Sequence, residues 1–296
     1  MNFRELFQQT TNQISENPYT DNLTIASEKN FNKSDDNSEP AMQYFYDSDH
    51  IKKMTEMNEK KMLEQKRRME AAEKREQEPC WFCLGGSKVE RHYIVSVGNK
   101  SYLAYAKGAL NNDHLLIIPI DHVQSSIHAD PELLEDINKY KGALVDYFKT
   151  KRKCVVFFER NFRTKHMQIQ MMALREDKSY LLKDAFMSMA KEQDVYLNEI
   201  PDMTNLKQVL RSSQSFYYLE LPNDDNENSM LTHSRFLCEI RGNHFPINFG
   251  RDVIASELLL NMPDRVDWKE CVKSQEEEKK MSVDFRNDFK KFDPFL

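Results

Sequence analysis

Three short segments, far apart in the chain, constrain this sequence most. Cys80 and Cys83 are spaced as C-x-x-C in "PCWFCL", His122 follows the apolar run of "LLIIPIDHV", and His166 heads "RTKHMQIQMM". C-x-x-C alone is a moderately specific signal of metal or redox chemistry. The segment after His166 alternates polar and apolar residues. Period-two alternation predicts a strand with His166, Gln168 and Gln170 on one face and Met167, Ile169 and Met171 on the other. Such a polar row is either a solvent face or the wall of a ligand pocket.

Together these segments resemble the zinc-bearing branch of the histidine-triad nucleotide-binding fold. The resemblance implies that Cys80, Cys83, His122 and His166 hold a structural zinc. Two thiolates and two imidazoles are a tetrahedral set that zinc prefers, and they would tie the N-terminal edge to two strands. It further implies that His114, opening "HLLIIPI", lies beside a bound phosphate. In the pattern His-x-His-x-His the middle histidine attacks phosphorus. Here the run reads His166-Met167-Gln168-Ile169-Gln170. An amide donates to a phosphate oxygen but forms no phosphoramidate. Gln168 and Gln170 are therefore expected as pocket wall, and no catalytic residue is assigned.

Composition agrees with a protein that folds only in part. Of 296 residues, 40% are hydrophobic and 30% charged, with mean hydropathy −0.74. Residues 1–50 hold nine acidic and three basic residues, show no hydrophobic period and read as a disordered acidic linker. Residues 51–78 are rich in helix formers with a thin stripe of Met54, Met57, Met62, Leu63 and Met69, which predicts a long solvated helix stopped by Pro79. No apolar run spans a bilayer and no signal-peptide core is present. Five cysteines suit a reducing compartment better than a disulfide framework.

The remainder predicts an α+β fold. Over 79–177, "HYIVSVG", "SYLAYAKGAL" and "HLLIIPI" read as strands, Pro131 to Phe148 as a helix, and "KCVVFFER" and "HMQIQMMAL" as two more strands. This is a small antiparallel sheet with a helix. A second, smaller α+β unit is expected over 178–296. Its elements are a helix near 180–197, strands "SFYYLELP" and "RFLCEIRG", a helix from Arg251 to Leu260, and a charged helix from Ser274 to Phe292.

One stretch is strongly basic. Residues 149–175 contain Lys149, Lys151, Arg152, Lys153, Arg160, Arg163, Lys165 and Arg175 against Glu159 alone, with Phe157, Phe158 and Phe162 interleaved. Since the run leads into His166, it reads as a phosphate-contacting, RNA-binding edge on which the aromatics stack bases.

The segments "PCWFCL", "YLAYAKGAL", "DHLLIIPIDHVQS", "KYK", "VVFFERN", "HMQIQ", "FGRDVIASELL", "DRVDWKEC" and "FDPF", in this order, resemble the CwfJ family. The resemblance covers about residues 79–296. It implies a nuclear, non-catalytic RNA-binding adaptor that acts in mRNA splicing with the post-splicing spliceosome. Its implied partners are RNA, branched intron lariats included, spliceosome components and the lariat-debranching enzyme, with no membrane. The alternative is a nucleotide or RNA phosphodiester hydrolase with His114 or a bound water replacing the lost nucleophile. Similar family members carry an N-terminal metallophosphoesterase-like domain that this sequence lacks, so activities of that domain are not expected here.

Overall fold

The structure, a computed structural model, describes residues 56–67, 80–202, 204–223, 233–242 and 244–296. The expected linker 1–50 and the flanks of the helix expected over 51–78 lie outside these residues. Residues 56–67 form helix α1, with every side chain exposed, Met57, Met62 and Leu63 included. Among the described residues, no helix is long and apolar enough to cross a membrane.

The compact part is built on one antiparallel sheet. Its strands are β1 (Ile94–Val97), β2 (Ser101–Tyr105), β3 (His114–Pro119), β4 (Lys153–Asn161), β5 (Ile169–Arg175), β6 (Asn198–Ile200), β7 (Phe216–Pro222) and β8 (His233–Glu239). They lie in the order β1-β2-β3-β5-β4-β7-β8-β6. Helix α2 (Pro131–Thr150) starts where sequence predicts, because Asp130 accepts from Leu133 N at 2.7 Å and Pro131 occupies the first turn. Asp136, buried on α2, accepts from Lys100 N at 2.6 Å and so ties the helix to the β1–β2 hairpin.

The second α+β unit shares one sheet with the first. β4 pairs with β7 from Phe157↔Glu220 to Asn161↔Phe216, so both halves share the sheet. A central strand such as β4 has backbone donors and acceptors on both sides, and β7 satisfies those that β5 leaves. The helices of this half are shorter than the sequence suggests. Helix α3 (Ser179–Glu192) ends because Asp194 takes a left-handed φ of 55° and Val195 N bonds back to Ala190 O. The single turn α4 (Leu206–Val209) precedes β7. Helix α5 (Phe249–Ala255) stops at Ser256, and α6 (Gln275–Phe289) begins at a Ser274–Glu277 capping box.

Alternation along β4 decides what each face of the sheet does. Phe157 and Glu159 face α2, while Phe158 and Arg160 point to the side that carries α5. Phe157 packs with Leu144, Phe148, Phe285 and Phe289 in one core, and Phe158 with Tyr217, Phe186 and Phe249 in the other. Each such ring contributes about 1.5–3 kcal/mol of burial. This corrects the expectation of stacking aromatics. Phe157 and Phe162 are core residues, and Phe158 is buried with only part of its ring in a cavity wall.

Candidate metal centre and nucleotide cavity

The C-x-x-C loop folds back at Gly86, whose N–H donates to Cys83 O at 2.8 Å. A Cβ there would meet Cys83 O at 3.0 Å and Cys80 O at 3.1 Å. Phe82 N–H points at Cys80 Sγ, 3.4 Å away, as expected of a backbone donor stabilising a thiolate. His122, beyond the end of β3, and His166, three residues before β5, complete the group. Cys80 Sγ lies 3.4 Å from His166 Nδ1, and Cys83 Sγ lies 3.3 Å from His122 Nδ1 and 3.6 Å from His166 Nδ1. All four ligand atoms fall within 4.8 Å of one another.

These separations suit a tetrahedral ion. Zinc bonds of about 2.3 Å to sulfur and 2.0–2.1 Å to nitrogen put S and N about 3.6 Å apart. The tautomer fits as well. His166 Nε2 donates to Pro119 O at 3.0 Å, which leaves the Nδ1 lone pair facing the sulfurs. Burial holds the His166 pKa below its ordinary value, in the neutral form a metal needs. Burial, and then Cys80 beside it, pushes the Cys83 thiol up to about 11. Two adjacent thiolates repel each other unless a cation sits between them. The residues therefore fit zinc.

The metal group and the polar row do not share a pocket, although both stem from one segment. His166 turns to the cysteines, while Gln168 and Gln170 line a cavity of about 400 Å³ on the α5 side of the sheet. Met167, Ile169 and Met171 are buried in the opposite core, as alternation requires. The two sites touch through the knuckle itself. Trp81 and Phe82, the middle residues of C-x-x-C, form part of the cavity wall, and Tyr102 OH donates to Phe82 O at 2.7 Å.

His114 sits at the cavity wall, 1% exposed. Leu110 N–H and Arg251 Nη1 both point at its Nδ1, at 3.2 and 3.4 Å. Nδ1 is therefore the acceptor, and Nε2–H donates to Gln170 Oε1 at 3.1 Å. Burial and the Arg251 charge lower the His114 pKa to about 3, against a small opposing effect of Gln170. It is a neutral imidazole with both nitrogens engaged, and Gln170 is left with its NH2 end as donor.

Cationic side chains line the cavity together with the Glu90 carboxylate. Arg251, 6% exposed, bonds to Val266 O, Gly108 O and Arg265 O, all neutral partners. Arg160 lines the wall and donates to Phe162 O. Tyr217 OH is buried there without a hydrogen-bond partner among the described residues. Gly250 makes this possible, since a Cβ would stand 2.6 Å from Tyr217 OH. The chain's two tryptophans, Trp81 and Trp268, are both on the wall and about half exposed. Arg251, Tyr217 and both tryptophans escaped sequence reasoning, although Arg251 lies in "FGRDVIASELL" and Trp81 inside C-x-x-C.

The basic run is divided. Lys151 and Arg152 occupy the turn between α2 and β4 and Lys153 opens β4; Lys151 meets Asp288 at 3.3 Å and Lys153 meets Asp113 at 2.5 Å. Seven residues of strand, about 23 Å, separate Lys153 from Arg160. Arg163 lies over the Phe162 ring, and Lys165 borders a shallow hollow with His122 and His128. Only Arg160 of this series lines the cavity.

Comparisons agree with the order of the motifs. Residues 65–187 match the family described as "Protein similar to CwfJ C-terminal", and residues 185–294 match "Protein similar to CwfJ C-terminus 2". CWF19-like protein 1 of Xenopus laevis is 37% identical over 292 residues, 95% of this chain and 51% of that protein. The Homo sapiens protein of the same name is 41% identical over 73% of this chain and 38% of its own length. Zinc finger CCCH domain-containing protein 64 of Arabidopsis thaliana is 35% identical over 81% of this chain and 39% of its own. The chain thus spans about half or less of these relatives. A hypothetical histidine triad nucleotide-binding protein from Sulfolobus tokodaii aligns over 75% of this chain and 95% of its own, at 13% identity and a TM-score of 0.24.

Proposed function

The chain belongs to the CwfJ/Cwf19 family, and from that premise we propose that it is a non-catalytic RNA-binding adaptor of mRNA splicing. In this reading it acts in the nucleus with the post-splicing spliceosome and supports lariat debranching. The observation that carries the RNA reading is the cavity. Its volume suits one nucleotide, its aromatic walls offer faces to a base, and Arg160, Arg251 and the Gln168 and Gln170 amides offer donors to a phosphate.

Cys80, Cys83, His122 and His166 would hold zinc, which would supply folding free energy rather than a reacting centre. No ligand position is left open once four residues occupy it. The hydrolase alternative has no support at His114. A general base needs a free lone pair near the reacting atoms, yet Nδ1 accepts from Leu110 and Arg251 and Nε2 carries the proton given to Gln170.

Binding of fluorescent single-stranded, branched and duplex RNA to the full chain tests the proposal. Single-stranded or branched RNA should bind at low salt, Arg160→Ala should weaken it, and the RNA should be recovered uncut. Absence of binding to any RNA at low salt would reclassify the protein as a protein–protein adaptor. Cleavage abolished by Gln168→Ala would establish the hydrolase instead.

A further inference from the structure

"KYK" and "VVFFERN" contain two residues that the nucleotide cavity does not use. Lys141 and Glu159 meet on the opposite, α2-facing side of the sheet, in the wall of a second cavity of about 250 Å³. Glu159 lies on the central strand β4 and is 2% exposed. Its Oε1 accepts from Ser126 N at 2.9 Å. Its Oε2 and the Ser126 hydroxyl beside it complete no hydrogen bond of good geometry among the described residues, but the two interact, and with Ser126 N–H and Lys141 they oppose the burial that raises the Glu159 pKa to about 7. A buried carboxyl oxygen short of partners is costly, and Glu159 is among the residues that line the cavity.

The other polar groups differ in charge and position. Lys141 Nζ is held by Glu220 Oε1 at 2.8 Å, and Tyr218 OH donates to the same oxygen at 2.7 Å, so that carboxylate is already matched. Lys207 and Arg235 also line the cavity. Lys207 is exposed and donates to Ala129 O at 2.6 Å, and Arg235 Nε donates to Tyr218 OH at 2.5 Å. An ammonium has three donors and a guanidinium five. The cavity therefore has a buried acceptor at Glu159, with the Ser126 hydroxyl beside it, and cations elsewhere on the wall.

We propose that this second cavity is a binding site for a ribose phosphate, whose sugar hydroxyls donate to Glu159 Oε2 while Lys207 and Arg235 take the phosphate. A carboxylate that grips ribose hydroxyls is a recurrent means of sugar recognition, and about 14 non-hydrogen atoms fit the volume. The ligand is either a free sugar phosphate or one nucleotide's sugar and phosphate within an RNA strand. The site is independent of the nucleotide cavity, from which the sheet separates it.

Isothermal titration of the full chain with ribose 5-phosphate tests this, with 2-deoxyribose 5-phosphate and ribose as comparisons. Ribose 5-phosphate should bind saturably. The 2-deoxy sugar and the unphosphorylated sugar should each bind several-fold more weakly. Glu159→Gln and, on the surface where folding is not at stake, Lys207→Ala should each weaken binding at least fivefold, while Arg160→Ala should not. Displacement of the sugar phosphate by single-stranded RNA but not by DNA of the same sequence would assign the site to an RNA strand. Displacement by neither would assign it to the free sugar phosphate. No binding at millimolar concentration, or binding lost in Arg160→Ala but kept in Lys207→Ala, would overturn the proposal.

Discussion

His114 Nε2 and Gln170 Oε1 lie 3.1 Å apart across β3 and β5, with the imidazole as donor. This one contact uses the imidazole N–H and fixes the Gln170 amide with its NH2 as the remaining donor. The histidine cannot rotate to accept a proton while Leu110 N–H and Arg251 hold its other nitrogen. The amide cannot present its oxygen to the cavity while His114 uses it. The contact leaves the Gln170 NH2 as the end of that side chain free to donate into the cavity.

The buried imidazole sets a pH dependence of stability. His114 titrates near 3 in the folded chain and near 6.5 when unfolded, so the unfolded state binds more protons between these values. Its contribution is complete above pH 6.5 and is lost as pH falls toward 3. Between pH 7 and pH 5 the loss is about 2 kcal/mol. Denaturant unfolding of His114→Asn at the two pH values should show a correspondingly smaller difference than the original chain. An unchanged difference would mean that His114 is already charged in the fold.

The metal centre predicts about one zinc per chain by elemental analysis of purified protein. Cys80→Ser should lose it and lower the melting temperature by many degrees, since structural zinc binding contributes directly to folding free energy. A strong chelator should do the same to the original chain. Metal-free protein of unchanged stability would remove zinc from the account.

The divided basic run gives a comparison between two variants. Arg160→Ala removes a guanidinium from the cavity wall and should weaken single-stranded RNA at least tenfold. Charge reversal at Lys151, Arg152 and Lys153, about 23 Å away along β4, should change affinity less than threefold. Titrations at several salt concentrations separate them, because a lost phosphate contact also flattens the salt slope by about one counterion. The opposite ranking would move the RNA to the α2–β4 turn.

Gly108 carries φ +61°, and a Cβ there would stand 2.0 Å from Trp268 O. Gly108→Ala should destabilise the chain by more than about 2 kcal/mol through backbone strain and a clash with main chain. It should also shift Trp268 at the cavity wall, seen as a change in tryptophan emission that Gly142→Ala, in open space on α2, does not produce.

The sequence by itself determined the local and periodic features. Alternation from His166 to Met171 divides that segment between a polar row and a core, and Asp130-Pro131 starts α2 where a cap and a fixed φ require it. C-x-x-C and two histidines come together as expected, with His122 just beyond β3 and His166 just before β5, strands that the sequence pattern predicts. Only the tertiary structure decided which face each side chain joins. Phe157 and Phe158, adjacent in the basic run, enter opposite cores, and Lys153 and Arg160 of that run end on different parts of the molecule. The pairing of β4 with β7 likewise fuses two expected units into one sheet. Charge and aromatic content are properties of a stretch of chain, whereas exposure depends on which strand pairs with which, and on β7 residues 55 or more positions away supply those partners.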